Sequence, residues 1–136
     1  MAELMLCEIV TPDQMLFSGE AEFVSAPAAK GEVGLMHLRA PLVSTLGRGL
    51  VRIKATMAGD AQCFAVDGGY IEADGRKVVV LASHAIDLNK VDVEFAKERL
   101  AQCEKRLAEL ASDDSRAAFI RQEIEWQQYL INMKQR

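Results

Sequence analysis

Tyr70-Ile71-Glu72-Ala73-Asp74-Gly75-Arg76-Lys77-Val78-Val79-Val80-Leu81 decides how the first part of the chain folds. Asp-Gly is the pair that best tolerates positive φ at both centres of a type I′ turn, so Asp74-Gly75 predicts a tight hairpin. Its arms are Tyr70–Ala73 and the apolar run Val78–Leu81. Both read as strands.

Short β-type runs punctuated by turn residues continue toward the N-terminus. Leu4-Met5-Leu6-Cys7-Glu8-Ile9-Val10 is apolar at nearly every position, which predicts a strand covered on both faces, and Thr11-Pro12-Asp13 ends it. Glu20-Ala21-Glu22-Phe23-Val24-Ser25 alternates up to Ala26-Pro27, and Leu50–Ala55 places Val51 and Ile53 opposite Arg52 and Lys54. Gly59-Asp60 predicts a turn into Gln62–Val66, with Gly68-Gly69 separating that run from Tyr70. Many short strands without helical patterns between them predict a sandwich or barrel over residues 1–88.

The pattern changes after Asp87-Leu88-Asn89. Apolar residues at Val93, Ala96, Leu100, Cys103, Leu107 and Leu110 form a single helical stripe, with Asn89 or Asp92 as its N-cap. Ala111–Ser115 supplies a short turn and cap, so a second helix running to the end of the chain lies antiparallel to the first. That second helix carries two apolar faces. Ala117, Ile120, Ile124 and Ile131 form one, while Phe119, Trp126, Leu130 and Met133 form the other, nearly opposite. One face closes the hairpin and the other needs a further surface. The predicted class is α+β, an antiparallel β-sandwich over residues 1–88 followed by a helical hairpin over residues 89–136.

Composition narrows the function. Of 136 residues, 50% are hydrophobic, enough for a buried core, and the formal net charge is -4 with signs interspersed. Neither phosphate neutralisation along a nucleic acid nor a basic membrane-seeking helix is expected. No apolar stretch approaches the ~20 residues that span a bilayer, and the N-terminus has no secretory signal pattern, so a soluble chain without direct membrane insertion is expected. The 3 cysteines, Cys7, Cys63 and Cys103, are far apart and lack metal spacing to His37 or His84, so they read as reduced thiols and no metal site is expected.

Several stretches resemble the epsilon subunits of F-type ATP synthases. These are Val10-Thr11-Pro12, Phe17-Ser18-Gly19-Glu20, Gly31-Glu32-Val33-Gly34, Ala40-Pro41-Leu42, Phe64-Ala65-Val66 with Gly68-Gly69-Tyr70-Ile71-Glu72, and Val79-Val80-Leu81-Ala82. They fall in the family's order and spacing along the whole chain. The resemblance implies a non-catalytic central-stalk rotor subunit of a proton- or sodium-translocating ATP synthase. The sandwich then binds the gamma subunit and the c ring. The mobile helices restrain ATP hydrolysis when they extend along gamma toward the alpha and beta subunits. The implied location is peripheral, on the cytoplasmic face of a bacterial inner membrane or the stromal side of thylakoids. The absence of a transit segment points to a bacterial or organelle-encoded source.

Two departures from the family pattern bear on sites. The family's proline-glycine-histidine run is replaced by His37, Leu38 and Arg39, in the loop that, with Ala29, Lys30 and Glu32, is implied to meet the c ring or lower gamma. Some relatives bind ATP through an Asp-x-x-Arg-Ala motif with an upstream acid. Here Asp92 and Ala96 match, whereas Phe95 stands for the arginine and Ser83 for the acid. An aromatic ring cannot supply bidentate hydrogen bonds to phosphate, so ATP binding is expected to be weak or absent and no cofactor is expected.

No phosphate-cradling G-x-x-x-x-G-K-[ST] run is present, and Gly47-x-Gly49 lacks the third glycine of a dinucleotide fingerprint. Ser83, His84 and Asp87 contain the residue types of a hydrolytic triad, but they are sequence neighbours at one strand end. The alternative reading is a small β-sandwich hydrolase or carbohydrate-active enzyme with a helical tail.

Overall fold

A computed structural model of the chain describes residues 3–135. The chain divides into two compact units, one ending at Asp87 and the other beginning at Leu88.

The first unit contains β1 (Met5–Val10), β2 (Met15–Ala21), β3 (Phe23–Ala28), β4 (Gly31–Met36), β5 (Leu42–Thr45), β6 (Arg48–Lys54), β7 (Gln62–Ala73) and β8 (Lys77–Asp87). The hydrogen-bonded order is β2-β1-β8-β7-β6-β3-β4, with β5 also on β7. All neighbours are antiparallel except β1 and β8, which run parallel. One edge of β7 is shared by two partners in succession: Gln62–Asp67 pair with β6, and Tyr70–Ala73 pair with β5. The strand thus passes from one layer of the sandwich to the other at Gly68-Gly69, whose φ values are +74° and +115°. The two runs read as separate from the sequence are one bent strand, because glycine holds these angles without ending the pairing.

Three further expectations are corrected. β1 is covered on one face only: Met5, Cys7 and Ile9 are buried, while Leu4 and Leu6 remain exposed. The run Glu20–Ser25 is not one strand. β2 pairs with β1, β3 pairs with β6, and Glu22 between them donates its N–H to the Lys54 carbonyl at 2.9 Å as the chain changes layers. Asp74-Gly75 does connect β7 to β8, but Gly75 alone has positive φ, +91°. The Asp74 carboxylate accepts from the N–H groups of Arg76 and Lys77, each at 2.9 Å, and this side-chain bonding replaces the type I′ geometry. These bonds, with the Arg76 charge adding, hold the Asp74 carboxyl below its usual range.

The core joins both layers through Ile9, Val24, Val51, Val66, Ile71, Val78 and Val80, all fully buried. Phe17 meets Phe64 edge to face at 5.6 Å. Burial of each such aliphatic side chain contributes about 1.5–3 kcal/mol. Val51 and Ile53 point inward from β6 and Arg52 outward, as their alternation predicts.

The second unit opens with a 3-10 turn, Leu88–Lys90, followed by α1 (Val93–Ala108) and α2 (Ser115–Lys134). Asp92 caps α1, its Oδ1 accepting from the Phe95 N–H at 3.1 Å, and Asp114 caps α2. Along the α1 stripe Ala96 and Cys103 are buried, and Val93, Leu100, Leu107 and Leu110 are half-buried. The helices are antiparallel, since Arg99 pairs with Glu123 at 3.2 Å and the end of α2 meets the start of the unit. There Lys134 Nζ donates to the carbonyls of Leu88 at 3.1 Å and Asn89 at 3.4 Å. Gln127, buried, donates to Glu123 at 3.1 Å, which orients the carboxylate toward Arg99.

Candidate interaction surfaces

The loop from β4 to β5 is fastened to the β7–β8 turn. Leu38 donates its N–H to the Gly75 carbonyl at 2.7 Å, and Arg39 donates to the Met36 carbonyl at 3.2 Å. Gly75 is required beneath it, because a Cβ there would lie 3.1 Å from the Leu38 Cα and 3.2 Å from the Arg39 carbonyl oxygen. His37 Nδ1 lies against the Glu3 carboxylate. Leu38 has φ +58° and is 64% exposed. Arg39 reaches only the Met36 sulfur, at 3.9 Å, and has no carboxylate partner among the described residues.

The six residues read as one contact loop sit at the two ends of β4. Ala29 and Lys30 form the β3–β4 turn, where the Ala29 N–H donates to Ser44 Oγ at 3.2 Å. His37, Leu38 and Arg39 follow the strand's other end, about 17 Å away along an extended chain. Glu32, near the first end, pairs with Arg52 at 2.9 Å. On α2, Trp126 and Leu130 are buried, Met133 is half-buried and Phe119 is 75% exposed. Trp126 stacks on Tyr129 with ring centroids 6.0 Å apart.

An apolar row on the outward face of β7, β8 and β1 was not found from sequence. Tyr70 faces Leu81 across β7 and β8, and Leu81 faces Val10 across β8 and β1. Tyr70 is 57% and Leu81 42% exposed, and with Thr11, Pro12 and Ser83 they line a shallow hollow. Val43 is exposed on the neighbouring β5. The available signal was the run Val78–Leu81, which is apolar on both faces of a strand, so that one face is apolar toward the outside.

The residues considered for chemistry are occupied otherwise or separated. The Asp92 carboxylate caps α1, Ala96 is buried, Phe95 is exposed, and Ser83 is an exposed residue of β8. In β8, Ser83 and His84 point to opposite faces, while Asp87 lies about 13 Å along the strand from Ser83. Asp87 accepts from Gln62 Nε2 at 3.5 Å. A triad cannot form from that placement. Cys7 and Cys103 are buried and Cys63 is half-buried, all unpaired; burial, with the Glu8 charge adding, pushes the Cys7 thiol up to about 12. Among the described residues no group of three potential metal ligands comes together, and no helix is long and apolar enough to cross a membrane.

Fold and surfaces together describe a β-sandwich followed by a helical hairpin, with apolar side chains exposed on both. Residues 4–88 match the family described as "ATP synthase, Delta/Epsilon chain, beta-sandwich domain". The ATP synthase epsilon chain of Brevibacillus brevis is 43% identical over 106 residues, covering 77% of this chain and 79% of that one. The epsilon chain of Carboxydothermus hydrogenoformans is 38% identical over 108 residues, covering 79% of each. The chain belongs to the ATP synthase epsilon chain family. In solved structures, a chain of the Euglena gracilis mitochondrial ATP synthase "OSCP/F1/c-ring" assembly superimposes with TM-score 0.67 at 15% identity, covering 90% of this chain and 76% of that one. One from the Tetrahymena thermophila mitochondrial ATP synthase "central stalk/cring" gives 0.59 at 12%, covering 96% of both. At those identities the likeness is one of fold.

Proposed function

We propose that this chain is a non-catalytic rotor subunit of an F-type ATP synthase, linking gamma to the c ring. The observation that carries the reading is the family match across the sandwich, joined to a helical unit that the epsilon-chain relatives also cover in part. The Tyr70–Leu81–Val10 row is suited to gamma, because flat apolar area crossed by an aromatic is what a lasting subunit contact buries. The β4–β5 loop is suited to the ring. The complex, and with it this chain, lies against a membrane whose coupling ion is a proton or sodium.

The helical unit restrains ATP hydrolysis when its helices extend toward the alpha and beta subunits. Phe119 supports this, since a large exposed aromatic on α2 is available for a second surface. Nucleotide sensing is not part of the proposal: the Asp92 carboxylate is committed to the helix cap, and Phe95 offers no cation to phosphate. Calorimetric titration with ATP is expected to give no binding at or below millimolar affinity.

The chain is expected to co-purify with gamma and to lack activity alone. Deleting the residues after Leu88 is expected to raise ATP hydrolysis by the assembled enzyme while leaving assembly intact. Equal hydrolysis by truncated and full-length complexes would remove the inhibitory role and leave the stalk role standing.

A further inference from the structure

The α2 stripe that the sequence assigns to one face, Ala117, Ile120, Ile124 and Ile131, has a gap in its spacing. Position 127 completes the repeat of three and four, and it holds Gln127, buried at 7% exposure. A polar side chain stands where a helix seam takes leucine or isoleucine.

Its hydrogen bond shows which way it faces. Gln127 Nε2 donates to Glu123 Oε1 at 3.1 Å, and Arg99 Nε of α1 donates to the same oxygen at 3.2 Å. Gln127 therefore lies on the side of α2 turned to α1, behind a carboxylate that both helices share. To this seam α1 adds little apolar bulk, since its buried side chains are Ala96 and Cys103. The Arg99–Glu123 pair is half-exposed, so water and salt weaken it. A buried amide adds less to closure than an apolar side chain of its size, while it fixes the alignment of the two helices.

We propose that Gln127 sets how readily the hairpin opens. The polar seam keeps α1 and α2 aligned when closed and leaves the closure weak enough to reverse. The proposal rests on the reading of the helical unit as a restraint on ATP hydrolysis, and it names the residue that tunes that restraint. A stronger seam holds the helices together and frees hydrolysis, whereas a weaker one favours extension and restrains it.

Cys103 supplies the readout, because it is buried on α1 and a thiol reagent reaches it only when the seam parts. Gln127→Met is nearly isosteric and apolar, and alkylation of Cys103 in the full chain is expected to slow about fivefold. ATP synthase stripped of this subunit and reconstituted with that variant is expected to hydrolyse ATP faster than with the parent. The rate should approach that given by the chain cut after Leu88. Gln127→Glu places a second carboxylate one turn from Glu123 and is expected to reverse both effects. Cys7, buried in the sandwich, is expected to stay unmodified, which marks the opening as local. Cys103 alkylated as fast in Gln127→Met as in the parent would overturn the weak seam. Slower alkylation with unchanged hydrolysis would overturn its control over the restraint. Equal hydrolysis with the parental and the cut chain would instead refute the restraint itself, and the proposal with it.

Discussion

Gly69 and Leu81 approach so closely that a Cβ on Gly69 would stand 1.9 Å from the Leu81 carbonyl oxygen. Gly69 also has φ +115°. The clash is with backbone, which cannot swing aside as a flexible side chain would, and it lies where β7 passes between layers. Gly69→Ala is expected to cost at least about 3 kcal/mol, combining left-handed strain with displacement of β8. Chemical denaturation followed by circular dichroism measures this, and a loss below 1 kcal/mol would contradict it.

Thiol chemistry should rank the cysteines by burial. Cys7 is buried and its thiol is pushed up to about 12, so it holds almost no thiolate at neutral or mildly alkaline pH. Cys63 is half-buried on β7. Alkylation of the folded chain at pH 8, read by peptide mass spectrometry, should modify Cys63 first and leave Cys7 unmodified until denaturant is added.

Asp114 makes the start of α2 sensitive to acid. Its carboxyl is lowered to about 2 from 3.8, chiefly by the Arg116 side chain at 2.7 Å and also by the Arg116 N–H at 2.9 Å. A carboxyl depressed in the folded state contributes stability that is complete above the unfolded value and lost as pH falls through the folded one. Helicity at the start of α2 should therefore be constant above about pH 5 and decline between pH 4 and 2. In Asp114→Ala the decline over that window should be smaller and helicity at neutral pH lower, because the cap is gone. Residue-resolved NMR shifts of Arg116–Phe119 follow it.

The apolar row gives a prediction about partners that is separable from folding. Tyr70→Asp and Leu81→Asp place charges on an outer face, so the isolated chain should keep its stability within about 1 kcal/mol. Binding to gamma should fall at least about tenfold for each. Parental affinity in both variants would place the gamma contact elsewhere.

At the open end of the hairpin, Lys134 holds the carbonyls of Leu88 and Asn89. Lys134→Ala should cost about 1 kcal/mol and speed amide exchange around Val91. Exchange at Val91 unchanged by the substitution would show that the apolar contacts alone close that end.

Most of the architecture was written in local patterns. The stripe from Val93 to Leu110 and the cap at Asp92 were readable because a helix's period and its orphan N–H groups depend on residues within a turn or two. The strand centred on Val51 and Ile53 was readable for the same reason. The face that β1 leaves uncovered was not, because Leu4 and Leu6 look the same in sequence whether or not another layer covers them. The type I′ reading of Asp74-Gly75 missed the Asp74 carboxylate, which serves two amides and selects a different turn. The residues expected to share one contact loop lie at two places, because β4 separates Ala29 and Lys30 from His37–Arg39.

The sequence by itself determined the β-then-α organisation, the helix limits and the family, because each rests on spacing along the chain. Only the tertiary structure decided that β7 runs unbroken through Gly68-Gly69, that Tyr70, Leu81 and Val10 form one outward row, and that Leu38 is held left-handed above Gly75. Each of these is a relation between segments remote in sequence. Such relations arise from the register of strand pairing and the closing of two layers over one core, which no local pattern encodes.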